Sequence, residues 1–314
     1  MKPPLVLISE PISNEPSSWL GRHCQTRTLK TDDPEFDEVI AQADGLVVRT
    51  YTRVDQALLK RAPNLKVVGR AGVGLDNIDL DACTARGVRV VHTPHANAMA
   101  VVEYTLSMLM TTLRPIKPIA GPASGDHWHA IRESAITPGS VVGTSLGIIG
   151  LGHIGSRVAL AAKGLGMDVR FNDLREIDQT EATGTRSDSL EGLLRQNRCV
   201  CVHVDGRSEN QGLIGEREFA MMRPDVVFLN ASRGFVVDPH AAAGFARENP
   251  SATLILDVHE PEPIGEDSPM FGLANVILTP HIAAATVQAK TAMSWVVRDV
   301  WAVLSGRDPE NPAN

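Results

Sequence analysis

Three glycines constrain this chain more than any other feature. Gly150, Gly152 and Gly155 lie in the stretch 147–155, GIIGLGHIG, between an apolar run over 145–149 and a helix-compatible run over 156–165. The spacing is that of a dinucleotide-binding turn. The first glycine permits a tight strand exit, the second lets backbone approach a pyrophosphate, and the third lets the new helix pack close to its strand. The helix N-terminus then presents unpaired N–H groups and the positive end of its dipole to phosphate. Such a spacing also occurs in purely structural turns, so its surroundings decide the reading. A second strand over 167–172 ends at Asp173, 21 positions beyond Gly152, near the distance expected of a carboxylate that grips a ribose diol. NAD is therefore the expected cofactor. An acid at 173 should repel the additional phosphate of NADP, although Arg175 stands close enough to temper that preference.

A chain of 314 residues favours two domains over one. Aromatic residues are scarce, so aliphatic side chains and glycine must fill much of the interior. A net charge of −7 gives no basis for nucleic-acid binding, which normally shows a basic stripe, but leaves room for a local arginine pocket that takes an anion. The start, MKPPLVLISEP, has too short an apolar run for a signal peptide, and no stretch approaches 18 consecutive apolar residues. The default expectation is a cytoplasmic protein with no membrane partner. Cys24, Cys83, Cys199 and Cys201 lack paired metal-site spacing, and no metal is expected; the last two would share one face of a strand as core thiols.

Strands are expected over 5–9, 46–49, 65–69 and 88–91, with helices over 54–61 and 79–86, which makes a small parallel α/β unit. The run 98–113 is a long apolar helix with Glu103 as its only formal charge. It demands burial between domains or against a second subunit. Glu103 reads as a structural cap or network residue. The segment 115–139, rich in Pro, Gly and His, reads as an arm anchored by Trp128, with too many breakers for a continuous helix. The nucleotide unit begins near Val142. It continues irregularly from Asp173 through Thr185, then through strands over 199–204, 226–230, 254–257 and 276–278. Asp238 and Pro239 should start a helix over 239–248. A last helix spans 286–304, and the polar tail 306–314 is expected to be poorly ordered.

Charged residues recur where the second set of strands ends: Arg233, Asp257, Glu262 and His281. Ligands of doubly wound sheets bind beyond the carboxyl ends of strands. A histidine with an acidic partner and a nearby arginine could hold an anion while moving a proton, but periodicity alone cannot bring these groups together.

The chain resembles the D-isomer-specific 2-hydroxyacid dehydrogenase family from about 5 to 306. The resemblance lies in five motifs in order: 69–79 (GRAGVGLDNID), 147–155, 229–238 (LNASRGFVVD), 257–263 (DVHEPEP) and 279–283 (TPHIA). The first two, with 47–50, look most similar to the D-3-phosphoglycerate dehydrogenase branch. The family places its catalytic histidine at His281, the acidic partner at Glu262 and the substrate-binding arginine at Arg233. Those residue types suit the chemistry. His281 would take the hydroxyl proton as hydride leaves C2 and return it in reduction. Glu262 would orient the ring and stabilise its charged form. Arg233 would pair bidentately with the substrate carboxylate.

The resemblance further implies that Val73 and Gly74 offer backbone N–H groups to that carboxylate, and that Asn97 lines the substrate side. His153, Ile154, His203, Ala231 and Asp257 would join Gly150, Gly152, Gly155 and Asp173 around the cofactor. Arg49 and Arg70 match arginines that hold a substrate phosphate; their alternative reading is a solvated charge or strand-end ion pair. His92, Ala96 and Asp205 depart from the family pattern, the last standing where proline is usual. The basic residue that the phosphoglycerate branch carries after the arm tryptophan has candidates in His129 and Arg132, neither securely matched.

The implied fold is α/β, with two doubly wound parallel-sheet domains: a Rossmann nucleotide domain over 98–283, and a smaller flavodoxin-like substrate domain made of 1–97 and 284–314. A cleft between them, two crossings that act as a hinge, and a homodimer are further implications. The expected reaction interconverts a D-2-hydroxy acid and a 2-keto acid, with 3-phosphoglycerate the leading substrate and glyoxylate or hydroxypyruvate reduction the alternative. No regulatory module is expected after the core, which does not count against that activity. A reading of another class is an NAD-responsive interaction protein without activity, disfavoured by the complete candidate catalytic set.

Overall fold

The structure is a computed structural model that describes residues 3–137, 139–177 and 184–314. Pro138 of the expected arm, and 178–183 of the expected irregular stretch, lie outside the described residues. The chain divides into two compact units, one formed by Met1–Ala98 with Ala284–Asn314 and the other by Met99–Ala283.

In the first unit the chain runs β1 (Leu5–Ile8), α1 (Asn14–Gly21), β2 (Gln25–Thr28), α2 (Phe36–Ile40), β3 (Gly45–Val48), α3 (Gln56–Arg61), β4 (Val67–Arg70), α4 (Leu80–Ala85) and β5 (Arg89–His92). Among the described residues these strands make a parallel sheet in the order β2-β1-β3-β4-β5, the flavodoxin-like order. Successive strand residues point to opposite faces, and both faces are apolar because both are covered. Leu7, Leu46, Val48, Val68 and Val90 join one buried cluster, whereas Val6, Ile8, Val47, Val67 and Val91 join the other. Asp55 and Asp79 cap α3 and α4, accepting hydrogen bonds from the N–H groups of Leu58 and Ala82.

The second unit opens with α5 (Ala98–Leu113) and α6 (Gly125–Ser134). It continues through β6 (Ser145–Ile149), α7 (His153–Gly164), β7 (Asp168–Asn172), β8 (Thr185–Arg186), α8 (Leu190–Gln196), β9 (Cys199–Val202), α9 (Glu216–Met221), β10 (Val227–Asn230), α10 (Pro239–Glu248), β11 (Thr253–Leu256) and β12 (Val276–Leu278). Its parallel sheet, among the described residues, has the order β12-β11-β10-β9-β6-β7-β8. Renumbered from β6, this is the 3-2-1-4-5-6 order of a Rossmann sheet with one further edge strand. The order reverses beside β6, so the crevice at a sheet's switch point lies at the end of the strand that carries the glycines. Asp238 caps α10 as its sequence suggests, accepting from the N–H groups of His240 and Ala241, with Pro239 in the first turn. Cys199 and Cys201 are fully buried free thiols, and burial pushes the Cys199 thiol up to about 12.

The described residues of the arm form no continuous helix, but one ten-residue helix, α6, forms where 124–134 is free of proline, with Ser124 at its start, Asp126 in the first turn and Arg132 in the last. Two expectations need correction. The final helix is two helices, α11 (Val287–Ser294) and α12 (Val297–Leu304). The break follows Ser294, whose hydroxyl turns back to the Lys290 carbonyl and accepts the Ser13 N–H, a geometry that bends helices. Below the break Val296, Val297 and Val300 pack against Val6, Val47, Val67 and Val91. Finally, the polar tail is docked. Ala313 N–H bonds the Val90 carbonyl, His92 N–H bonds the Asn311 carbonyl, and the buried Asp299 carboxylate accepts from Glu310 N–H (2.7 Å) and Asn311 Nδ2 (3.0 Å). The tail's polar composition concealed this, because its partners are backbone groups on a sheet edge. Asp299→Ala is expected to destabilise the first unit by about 1–3 kcal/mol and to expose the tail to proteolysis; an unchanged unfolding midpoint with an equally resistant tail would refute the docking.

Candidate active site

The glycine turn leaves β6 with Gly150 at φ 88°, a left-handed conformation that a side chain would strain. A Cβ there would lie 2.8 Å from the His203 carbonyl oxygen, and one on Gly155 would lie 2.1 Å from the Gly150 carbonyl oxygen. The first and third glycines are thus required by backbone approach within the turn. A Cβ on Gly152 would meet nothing within 4 Å, so the face it occupies is open. No side chain caps α7, whose first turn holds His153 and Ile154. An open glycine face at an uncapped helix N-terminus fits a pyrophosphate. Ala231 follows β10, the next strand but one, at the same sheet edge. His203 follows β9; it is buried, neither ring nitrogen has a hydrogen-bond partner, and burial lowers its pKa to about 4, so the ring is neutral.

Asp173 stands where a ribose-binding acid would, but its carboxylate is engaged. Oδ2 accepts from Leu151 N–H (2.8 Å) and Arg175 Nη2 (3.2 Å), and Oδ1 accepts from Arg175 N–H (2.9 Å) and Nε (3.1 Å). Burial pushes this carboxyl up, but the Arg175 and Leu151 hydrogen bonds outweigh burial and hold it below its usual value. Asp205, the departure from the family pattern, pairs with Arg207 Nε (2.7 Å) and Nη2 (2.5 Å), which holds its pKa down as well.

Arg233, Asp257, Glu262 and His281 belong to the loops that leave the carboxyl ends of β10, β11 and β12. His281 Nδ1 lies 2.8 Å from Glu262 Oε2. With a carboxylate as acceptor, Nδ1 carries the proton and Nε2 is left as the basic nitrogen. The other oxygen of Glu262 accepts the His259 N–H at 3.0 Å. Burial raises the Glu262 pKa, yet the His281 and His259 hydrogen bonds prevail and keep it below the ordinary range. Arg233 reaches the same loop through its neighbour, since a Cβ on Gly234 would lie 1.9 Å from the His259 carbonyl oxygen. The Asn230 side chain fixes the Arg233 backbone, donating Nδ2 to the Arg233 carbonyl and accepting the Ser232 N–H. Asp257 is fully buried, and its oxygens take the Thr279 hydroxyl and the Ile282 and Ala283 N–H groups.

In the first unit, Arg49 and Arg70 stand at the carboxyl ends of the adjacent strands β3 and β4. Arg49 Nη1 is directed at the Pro11 carbonyl (3.5 Å) and Arg70 Nη1 at the Ala71 carbonyl (3.3 Å). Val73 and Gly74 follow β4, where the Val73 carbonyl meets His92 Nδ1 at 3.0 Å, so the departure at 92 supports this loop. Asn97 precedes α5, and its Oδ1 is buried without a hydrogen-bond partner.

Two organising residues escaped the sequence reading. Glu10 collects the N–H groups of Arg49, Thr50, Tyr51 and Thr52, folding the β3 exit around one carboxylate. Burial raises its pKa, but those four backbone donors carry it below the usual value. Tyr104 of α5 bonds the Thr279 hydroxyl (2.7 Å), whose own proton goes to Asp257, so the phenol donates. Neither contact has a local signal, because the partners stand about 40 and 175 positions apart. Glu10, two residues beyond β1 among Pro and Ser, was legible only as a loop acid.

Fold and site together define a dinucleotide-binding α/β protein with a histidine–carboxylate pair at its strand ends. A family profile described as "D-isomer specific 2-hydroxyacid dehydrogenase, NAD binding domain" matches residues 106–283, and the chain belongs to this family. D-3-phosphoglycerate dehydrogenase of Archaeoglobus fulgidus is 33% identical over 98% of this chain and 59% of its own length. The chain thus spans little more than half of that relative. Glyoxylate reductase of Aeropyrum pernix is 30% identical over 100% of this chain and 97% of its own. The solved structure of Aquifex aeolicus D-lactate dehydrogenase, complexed with NAD and lactic acid, superposes with a TM-score of 0.80 at 26% identity, covering 96% of both chains.

The Glu10 pocket makes a pH-dependent claim. Because the folded-state pKa lies below the unfolded one, Glu10 contributes stability at neutral pH that is lost as pH falls through its folded-state value. Glu10→Gln is expected to cost about 1–3 kcal/mol at pH 7, and the gap from the native protein should narrow below about pH 4. A gap independent of pH in urea unfolding would refute it.

Proposed function

We propose that this protein is an NAD-linked dehydrogenase that interconverts a D-2-hydroxy acid and its 2-keto acid. The observation that carries the reading is the 2.8 Å contact between His281 Nδ1 and Glu262 at the carboxyl edge of a nucleotide-type sheet. With Nδ1 donating to the carboxylate, Nε2 accepts the substrate hydroxyl proton in oxidation and returns it in reduction. Glu262 holds the ring in the required tautomer and stabilises its charged form. Arg233 pairs with the substrate carboxylate through its planar fork. Val73, Gly74 and Asn97 are assigned substrate-binding roles in this reading, the first two through their backbone N–H groups. NAD, when bound, would supply the hydride acceptor or donor. Gly150, Gly152, His153, Ile154 and Gly155 would receive its pyrophosphate, and Asp173 would meet its adenosine ribose. His203, Ala231 and Asp257 border the remainder, with Asp257 acting chiefly by shaping the loop that carries His281.

The preferred substrate is 3-phosphoglycerate, with Arg49 and Arg70 at the phosphate end. A second reading, reduction of glyoxylate or hydroxypyruvate, is favoured by the present direction of both guanidinium groups at backbone carbonyls. The exposed apolar side chains Ile116, Trp128 and Ile136 of the arm region support a homodimer. The chain's acidic charge and the lack, among the described residues, of a helix long and apolar enough to cross a membrane agree with a small-molecule enzyme.

His281→Ala should lower turnover by about 100-fold or more, on the scale of general acid–base groups, while NADH affinity stays nearly unchanged; near-native turnover would remove His281 from proton transfer. In a steady-state screen, 3-phosphoglycerate should exceed glycerate in kcat/KM, and Arg49→Gln or Arg70→Gln should close that gap by raising KM. Equal rates on phosphorylated and unphosphorylated acids would instead select the glyoxylate reading.

A further inference from the structure

The ribose-facing acid of this chain is not available to a ribose as it stands. A carboxylate has about four acceptor sites, and all four on Asp173 are taken, three of them by Arg175. The main-chain bond from Arg175 N–H and the bond from Leu151 N–H hold the carboxylate in place. The two side-chain bonds come from a guanidinium that is 62% exposed and that also donates to the Leu151 carbonyl at 3.4 Å. Arg186 braces the turn itself, donating to the carbonyls of Asp173 (2.7 Å) and Arg175 (2.9 Å), so the backbone at this turn is held independently of the Arg175 side chain.

A second ion pair acts electrostatically on the first. Arg207, with a half-exposed side chain, is clamped to Asp205, and the charges of the two pairs act on one another: Arg175 feels Arg207 and Asp205, and Arg207 feels Asp173. The edge that would meet the adenosine side of a dinucleotide therefore holds two solvent-exposed guanidinium groups. Asp205 and Arg207 belong to the stretch where this chain departs from its family's usual proline.

We propose that Arg175 is a latch on Asp173 that sets the choice of dinucleotide. It must release the carboxylate before a ribose diol can be gripped. Once released it is, with Arg207, the cationic partner of a 2′-phosphate, so that the chain binds NADP as well as NAD. For NAD, the latch is a competitor: the two charge-assisted hydrogen bonds to Asp173 and the longer one to the Leu151 carbonyl break, and Arg175 ends in solvent. For NADP the same movement ends in a new pair with a doubly charged phosphate. The repulsion that a bare acid would impose on that phosphate is offset by two arginines already at hand. This rests on the dinucleotide reading of the glycine turn.

The test is calorimetric titration of the full chain with NADH and with NADPH, in the absence of substrate and at low salt. Arg175→Gln should weaken NADPH binding about tenfold, the scale of a lost charge-assisted pair. It should also tighten NADH about two- to fivefold, since an exposed competing ion pair is removed. Arg207→Gln should weaken NADPH by about threefold and leave NADH within error. Added salt should shrink the NADPH effects more than the NADH ones. A purely structural role would move both ligands in one direction, and that result for Arg175→Gln overturns the latch. Native protein that binds NADH but not NADPH overturns it too, while the dinucleotide reading survives. Native protein that binds neither dinucleotide removes that reading and the latch with it.

Discussion

Asp257 has no exposure to solvent, and a carboxylate can occupy such a position only if hydrogen bonds replace its hydration. It obtains them from one short stretch of chain: the Thr279 hydroxyl and the Ile282 and Ala283 N–H groups, while its own carbonyl accepts the His281 N–H. The loop that leaves β12 is wound round this acid, and the winding places His281 at φ 54°, a left-handed conformation unusual for a residue with a side chain. Strain of that kind costs about 1–3 kcal/mol and persists because the surrounding bonds over-determine it. Its effect is to aim the imidazole at Glu262. Tyr104 secures the arrangement from α5 through Thr279.

Parallel sheets explain why the polar residues gather where they do. With both faces of each sheet covered by helices, the strands are apolar along their length, and chemistry is left to the loops at their ends. In the second unit the carboxyl ends carry the glycine turn, Arg233, Asp257, Glu262 and His281; in the first they carry Arg49, Arg70, Val73 and Gly74. Close backbone approaches then lock neighbouring loops together. Gly234 against the His259 carbonyl joins the arginine loop to the glutamate loop, as Gly150 against the His203 carbonyl joins the nucleotide turn to β9.

Acids recur as loop organisers throughout. Glu10 folds the exit of β3 and Asp299 holds the tail, whereas Asp173 has its lone pairs filled by a main-chain N–H and by its own neighbour Arg175. A carboxylate that satisfies backbone N–H groups stiffens a loop at low entropic cost, because the donors it collects are already fixed by the flanking strands. The site edges are therefore shaped by acidic side chains even where the ligand expected there is an anion.

Local physics made much of this legible in the sequence. The glycine turn, the alternation of strands and helices, the Asp238–Pro239 helix start and the candidates Arg233, Glu262 and His281 all follow from short-range pattern or motif, because strand exits and helix starts depend on neighbouring residues. Motif order extended that to the family. What required tertiary structure was every partner supplied from far along the chain. The Glu10 cradle, the Tyr104–Thr279–Asp257 chain and the docked tail join segments whose separation no periodicity encodes. The helix in the arm and the break after Ser294 show the same division: capping residues were present in the sequence, but whether a helix forms or bends was decided by what it packs against and which distant group its side chains meet.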